Sequence, residues 1–382
     1  MAGGIGFALA LAGCAAQTPF LLTGGLDYDK ALLTGERLFG EPVPAHEPEG
    51  DIAEPSQEML DYIARVVPQR AGASRRFNVL FDQLHRDGLF DAVYSADQTL
   101  TAAQTFESRG GNCLSYTNMF VALARAAGLD ARYQVVETPP SWDADAGFLI
   151  RYTHINVILK NVRLDHQPGY DVIVDFNVVH PDPDYPRRVV SDDYAESLFY
   201  ANKSVSALRD NRVREGFAYL RRAIETAPNN VDLWINLGAF YATQGDYESA
   251  VDAYEVALQI EPRNKSVLSG LARSYYNMGD TEMAAVYERK VRYYRERNPW
   301  YHYALAQSAY EDADYEASLN HIDQAIDLRR RVARFHFLRG LVQNQLGDSA
   351  AARVSLEKAE RFGLDRAVKL EMLRTLAGVD AT

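Results

Sequence analysis

Residues 231–264 read VDLWINLGAFYATQGDYESAVDAYEVALQIEPRN, and the spacing of their small and aromatic side chains decides the architecture of half the chain. Leu237 and Tyr241 are four residues apart and share one helix face. Gly238 and Ala250 are small, so two paired helices can approach closely. Pro262 follows the second helix and stops it. Between the helices, Gly245-Asp246 suits a turn, because glycine relaxes the backbone and aspartate caps the helix that follows.

The same punctuation recurs on both sides. Asp246, Asp280, Asp314 and Asp348 lie 34 residues apart, with glycine before three of them, and Pro228 and Pro262 keep the same period. A period of this length marks a solenoid of helical hairpins. Ser197 to Asn230 reads as a looser copy, with Leu220, Ala223 and Pro228 in phase. Copies beginning at Lys265, Pro299 and Ala333 are weaker, although Leu271, Tyr275, Ala284, Leu305, Ala325, Gly340, Ala352 and Ala359 still fit. This predicts about five repeats over 197–366, then a capping helix near 367–377 and a tail ending at 382. Trp234, Leu237, Gly238, Tyr241, Ala250, Tyr254, Ala257 and Pro262 resemble the consensus of the tetratricopeptide repeat. That resemblance implies an all-α solenoid whose groove binds a protein or peptide substrate or partner. The aromatic residues read as core. The basic stretch ERKVRYYRER (Glu288 to Arg297) reads either as a solvated helix face or as a groove for an acidic peptide.

The other half turns on SRGGNCLSYTNMFVALARAAGLDAR, residues 108–132. Thr117, Phe120, Ala124 and Ala127 follow Cys113 at helical spacing, and Gly128 stands where the helix should stop. Cys113 therefore falls in the first turn, with Asn112 as candidate N-cap. A thiol there faces the positive end of the helix dipole and unpaired backbone N–H groups, surroundings that suit a nucleophile. Upstream, Glu58 to Val67 and Phe77 to Leu84 read as helices. Downstream the period changes to two. Ala131 to Val136 reads as a strand, THINVILK alternates Ile155, Val157 and Leu159 with His154, Asn156 and Ile158, and YDVIVDFNVV alternates Val172, Val174 and Phe176 with Ile173, Asp175 and Asn177. These are expected to be neighbouring antiparallel strands, with His154 and Asp175 on their more polar faces.

A cysteine at a helix head, then a histidine opening a strand, then an aspartate in the next strand resembles the transglutaminase-like fold, a relative of papain-like cysteine proteases. GNCLSYTNMFVALARAAGLDAR is similar to the family's cysteine motif, and the likeness spans about Asp51 to Pro186. It implies an α+β domain over 52–196 in which Cys113 is the nucleophile, His154 the general base and Asp175 the group that orients the imidazole. Asp165 and Asp171 are alternative acids, and His166 and His180 alternative bases. Trp142 is expected in a loop that lines the cleft. No cofactor is expected. No His/Cys cluster has metal-ligand spacing, and no glycine-rich phosphate loop follows a strand.

Residues 5–11, IGFALAL, precede LAGC. This resembles a bacterial lipoprotein signal over 1–14, with Cys14 as the lipid-attachment residue, although no Lys or Arg precedes the apolar core. The likeness implies a cell-envelope protein held by its lipid, on the periplasmic face of the outer membrane, with 15–51 as a tether to the first domain. The 52 acidic and 40 basic side chains leave a net charge of −12, which argues against general nucleic-acid binding. No apolar run reaches the roughly 18 residues that span a bilayer. Two functions fit: a cysteine peptidase or amidase-like acyl-transfer enzyme whose repeats recruit substrate, and a lipid-anchored scaffold whose transglutaminase-like domain binds without reacting.

Overall fold

The computed structural model describes residues 25–90, 93–95, 98–137, 141–143, 148–150, 153–162, 171–176 and 186–364. Cys14, Asp165, His166, His180 and the capping helix expected near 367–377 lie outside these residues. Among the described residues no helix is long and apolar enough to cross a membrane.

After α1 (Glu36–Phe39), the first domain is built from α2 (Gln57–Val66), α3 (Ala73–Arg86), β1 (Val93–Tyr94), α4 (Ala102–Ser108) and β2 (Gly110–Gly111), with α5 (Cys113–Ala126) at its centre. Every α5 residue from Leu114 to Ala124 is buried, as expected of a helix enclosed on all sides. Helices α2 and α4 cover it from one side, and β3 (Asp130–Glu137) and β6 (Thr153–Lys160) from the other. At its C-terminal end the Arg76 guanidinium donates to the Ala127 carbonyl at 2.7 Å, satisfying one of the orphan carbonyls that every helix end leaves.

The sheet is antiparallel, in the order β7 (Val172–Val174), β6, β3, β8 (Arg187–Val189). Tyr133, Val135, Ile155, Val157, Leu159, Val172 and Val174 alternate along three strands and join the core shared with α5, which is the period-two pattern at work. A separate hairpin, β4 (Ser141–Asp143) with β5 (Phe148–Ile150), precedes β6. Trp142, expected in a loop, lies in β4, because Trp142 pairs with Leu149 across that hairpin.

Five helical hairpins follow: α6 (Asp192–Arg209) with α7 (Val213–Thr226), α8 (Val231–Thr243) with α9 (Tyr247–Ile260), α10 (Lys265–Asn277) with α11 (Thr281–Arg295), α12 (Pro299–Glu311) with α13 (Tyr315–Leu328), and α14 (Ala333–Gln345) with α15 (Ser349–Arg361). The four periodic aspartates cap second helices. Asp246, Asp280, Asp314 and Asp348 accept from the N–H three residues on, at 3.1, 3.0, 3.1 and 2.9 Å. The preceding residue is left-handed in every copy: Gly245, Gly279 and Gly347 at φ 82, 83 and 84°, and Ala313 at φ 59°. The Tyr254 ring wedges between α8 and α10, so a Cβ on Gly238 or Gly270 would come within 2.5 or 2.4 Å of it. First helices of successive repeats touch, α8 with α10 and α12 with α14. One continuous core joins the first domain to repeats one to three, ending at Leu271, and a second fills repeats four and five.

The expected tether over 15–51 is not loose across residues 25–51, which form a strap along α9, α8 and α7. Asp27 and Gln259 exchange two hydrogen bonds, 3.0 and 2.7 Å, and the Tyr28 ring meets Trp234 edge-on. The Tyr241 hydroxyl donates to the Leu32 carbonyl at 2.6 Å, Arg221 donates to the Val43 carbonyl, and His46 stacks on Tyr219. Leu32, Leu33 and Val43 are buried. The glycines and prolines of the segment shape its turns without freeing it, since these apolar side chains gain by docking.

Candidate active site

The head of α5 is held from behind. Asn112 is the N-cap, its side chain accepting from the Ser115 N–H at 3.0 Å and donating to Thr99 at 2.7 Å. The Ser115 hydroxyl donates to the Gln98 carbonyl and accepts from the Leu100 N–H. These bonds staple the 98–100 segment to the first turn and fix where Cys113 points. Cys113 is a free, half-buried thiol. The first-turn N–H groups beside it have no intrahelical carbonyl to bond.

His154 is the second residue of β6 and is buried. Its Nε2 lies 2.8 Å from both carboxylate oxygens of Asp175, which directly follows β7, and Cys113 lies close enough to the imidazole to favour its protonated form. The three residues singled out in the sequence thus converge, on three elements 41 and 21 residues apart along the chain. The register explains half of this. Val157 faces Val174 across β6 and β7, so Asp175 stands opposite Asn156, one residue on, and next to His154 on the polar face. Burial pulls the His154 pKa down, but the hydrogen bonds and charges of Asp175 and Cys113 outweigh it and raise the value to about 9. At neutral pH the proton rests on the imidazole.

Of the alternative acids, Asp171 is turned away and pairs with Lys160 at 2.6 Å. One polar neighbour escaped the sequence reading. Asn156 is buried, and its Nδ2 donates to Asp175 Oδ2 at 3.0 Å. Its place two residues after His154, on the same strand face, was the available signal. The β4–β5 hairpin leads into β6, and β5 touches α10 of the third repeat, so the histidine strand begins beside the solenoid. Among the described residues no group of three or more His, Cys, Asp and Glu converges as metal ligands do.

Residues 62–163 match the family model of the transglutaminase-like superfamily, and 202–265, 241–307 and 303–365 match models of the tetratricopeptide repeat. The chain carries a transglutaminase-like domain followed by tetratricopeptide repeats. The matched transglutaminase-like segment contains Cys113 and His154, whereas Asp175 lies beyond it. Similar solved structures include "MamA MSR-1 C2", 18% identical over 44% of this chain and 96% of that one, with a TM-score of 0.24. Another is "YrrB: a TPR protein with an unusual peptide-binding site", 16% identical over 47% and 92%, with a TM-score of 0.25. A third, titled "APC/C hetero-tetramer Cut9-Hcn1", is 18% identical over 48% and 38%, also at 0.25. None of the curated proteins compared matches the chain.

Proposed function

We propose that this protein is a cell-envelope cysteine enzyme that transfers acyl groups from peptide or protein amides through a thioester on Cys113. The observation that carries the reading is the His154 imidazole, hydrogen-bonded to Asp175 and close to the cysteine at a helix head. In this chemistry the Cys113 sulfur attacks the amide carbonyl and forms a C–S bond. The C–N bond breaks, and the departing amine takes the proton held by His154. Water then attacks the thioester while His154 accepts its proton, releasing a carboxylic acid and restoring the thiolate–imidazolium pair. An amine in place of water would give a cross-link by the same route. The backbone N–H of Cys113 is a reasonable donor to the developing oxyanion.

The solenoid recruits the substrate or a partner protein, and the contact of β5 with α10 favours delivery along its first helices. Cys14 carries the lipid, anchoring the chain on the periplasmic face of the outer membrane. A short segment then joins the anchor to the docked strap that begins by Asp27.

The test is acylation by a small activated ester. Wild type and Cys113→Ala are mixed with p-nitrophenyl acetate, and the protein is analysed by mass spectrometry. A rapid burst of p-nitrophenolate with an acetyl group on Cys113, absent in Cys113→Ala, is expected. Acetylation no faster than that of a free thiol would instead favour a binding-only scaffold.

A further inference from the structure

Three polar side chains form a row across the sheet beside His154. Gln134 faces Asn156 between β3 and β6, and continuing the β6–β7 register by one residue places Asn156 opposite Asp175. Asn156 is 1% exposed and Gln134 4%. The flanking positions on the same face, Val136 and Ile158, are apolar and buried. Burying a carboxamide there is costly unless its bonds matter, and the Asn156 Oδ1 finds no partner among the described residues. The bond that Asn156 does make goes to the carboxylate that holds the histidine.

That bond has a geometric consequence. His154 Nε2 is equidistant from the two Asp175 oxygens, 2.8 Å each, so the histidine alone does not set the rotation of the carboxylate. Asn156 selects one oxygen, Oδ2, and stops the plane from turning. The carboxylate in turn sets the tilt of the imidazole whose other side meets Cys113.

We infer that Asn156 is a positioning residue, acting through Asp175 to hold His154 in the orientation that lets it receive a proton from water attacking the thioester. The inference rests on the function proposed above. Asn156 acts only through His154, and p-nitrophenolate leaves without taking a proton, so with this activated ester the loss of Asn156 should leave formation of the acyl-enzyme largely intact and slow its breakdown.

The experiment follows p-nitrophenyl acetate turnover across pH in the full chain, comparing wild type with Asn156→Ala, with Asn156→Leu, which keeps the buried volume, and with Asp175→Asn. The expected result is a normal burst in both Asn156 variants and deacylation slowed about tenfold or more, the effect of losing one hydrogen bond to a charged group. Deacylation, which needs the neutral imidazole, should rise with pH as His154 loses its proton, and that rise should shift to lower pH in the Asn156 variants and further in Asp175→Asn. Asn156 variants that are folded by near-ultraviolet circular dichroism and deacylate with the wild-type rate and profile would overturn the inference and leave the proposed function standing. No burst in the wild type would overturn both.

Discussion

His302 stands two repeat periods after Trp234 and makes the same bond. The Trp234 indole N–H donates to the Pro228 carbonyl at 2.7 Å, and His302 Nε2 meets the Glu296 carbonyl at 3.1 Å, each reaching six residues back. One further period on, His336 Nε2 meets the Arg330 carbonyl at 2.8 Å. A ring nitrogen facing a carbonyl must carry hydrogen, so the tautomer is set. Unlike an indole, each imidazole has a second nitrogen, and Nδ1 of His302, His321 and His336 is buried with no partner among the described residues.

Repeats four and five should therefore weaken in acid. Burial lowers the pKa of His336, aided by the charges of Lys358 and Arg339, while burial and the nearby His302 lower that of His321. The unfolded chain then binds more protons than the folded one near pH 6.5, the ordinary histidine value. The stabilisation is fully present above that pH and is lost as pH falls toward the depressed folded values. Hydrogen exchange followed by mass spectrometry should show α12 to α15 losing protection in mild acid before α8 and α9. His336→Trp, which restores the indole, should reduce the difference. Equal loss of protection in all repeats would contradict the idea.

His154 should behave in the opposite sense. Its pKa is raised to about 9, so the protonated form is favoured in the folded protein. Its contribution to stability is full below 6.5, the unfolded value, and disappears as pH rises through about 9. An NMR titration of the His154 ring should give a midpoint near 9 in wild type and a much lower one in Asp175→Asn, where only burial and Cys113 act. A wild-type midpoint at the ordinary value would mean that the Asp175 bond is not formed in solution.

Ala313→Gly should stabilise the fourth repeat. Ala313 is left-handed at φ 59°, where the matching residues of three other repeats are glycine. An alanine Cβ crowds the following carbonyl there and costs about 1 kcal/mol, which glycine recovers, less its own chain entropy. The net gain is about 0.5 kcal/mol, read as a higher midpoint in denaturant unfolding. A lower midpoint would show that the strain is already relieved by neighbouring contacts.

The strap should peel away when its anchors are cut. Leu33→Ala removes a buried side chain and should cost about 2 kcal/mol, the low end of the usual range because the segment can relax. Tyr241→Phe removes the bond to the Leu32 carbonyl and should cost about 1 kcal/mol. In the double variant, limited proteolysis should cut within residues 25–51 while the repeats stay intact. Cleavage in the wild type at the same rate would mean that the strap does not stay docked.

Much of this was legible in the chain because it is local. The 34-residue period, the capping aspartates and the stop after α5 depend on residues a few positions apart, where helix geometry does the arithmetic. The alternation in β6 and β7 was equally plain, and it put His154 and Asp175 on polar faces. Asn156 was visible on the same face, but nothing local distinguishes an amide that holds a carboxylate from one that is merely buried. Trp142 was placed in a loop because three-residue strands carry too little pattern to be recognised.

By itself, then, the sequence determined the two-part architecture, the repeat turns and the candidates Cys113, His154 and Asp175, since each follows from periodicity or from a short motif. The tertiary structure alone decided that Asp175, not Asp171, meets the histidine, that Asn156 braces it, and that residues 25–51 lie bound along the repeats. Those outcomes depend on strand register and on contacts across as many as 232 residues of chain, and packing sets such distances, which no local pattern encodes.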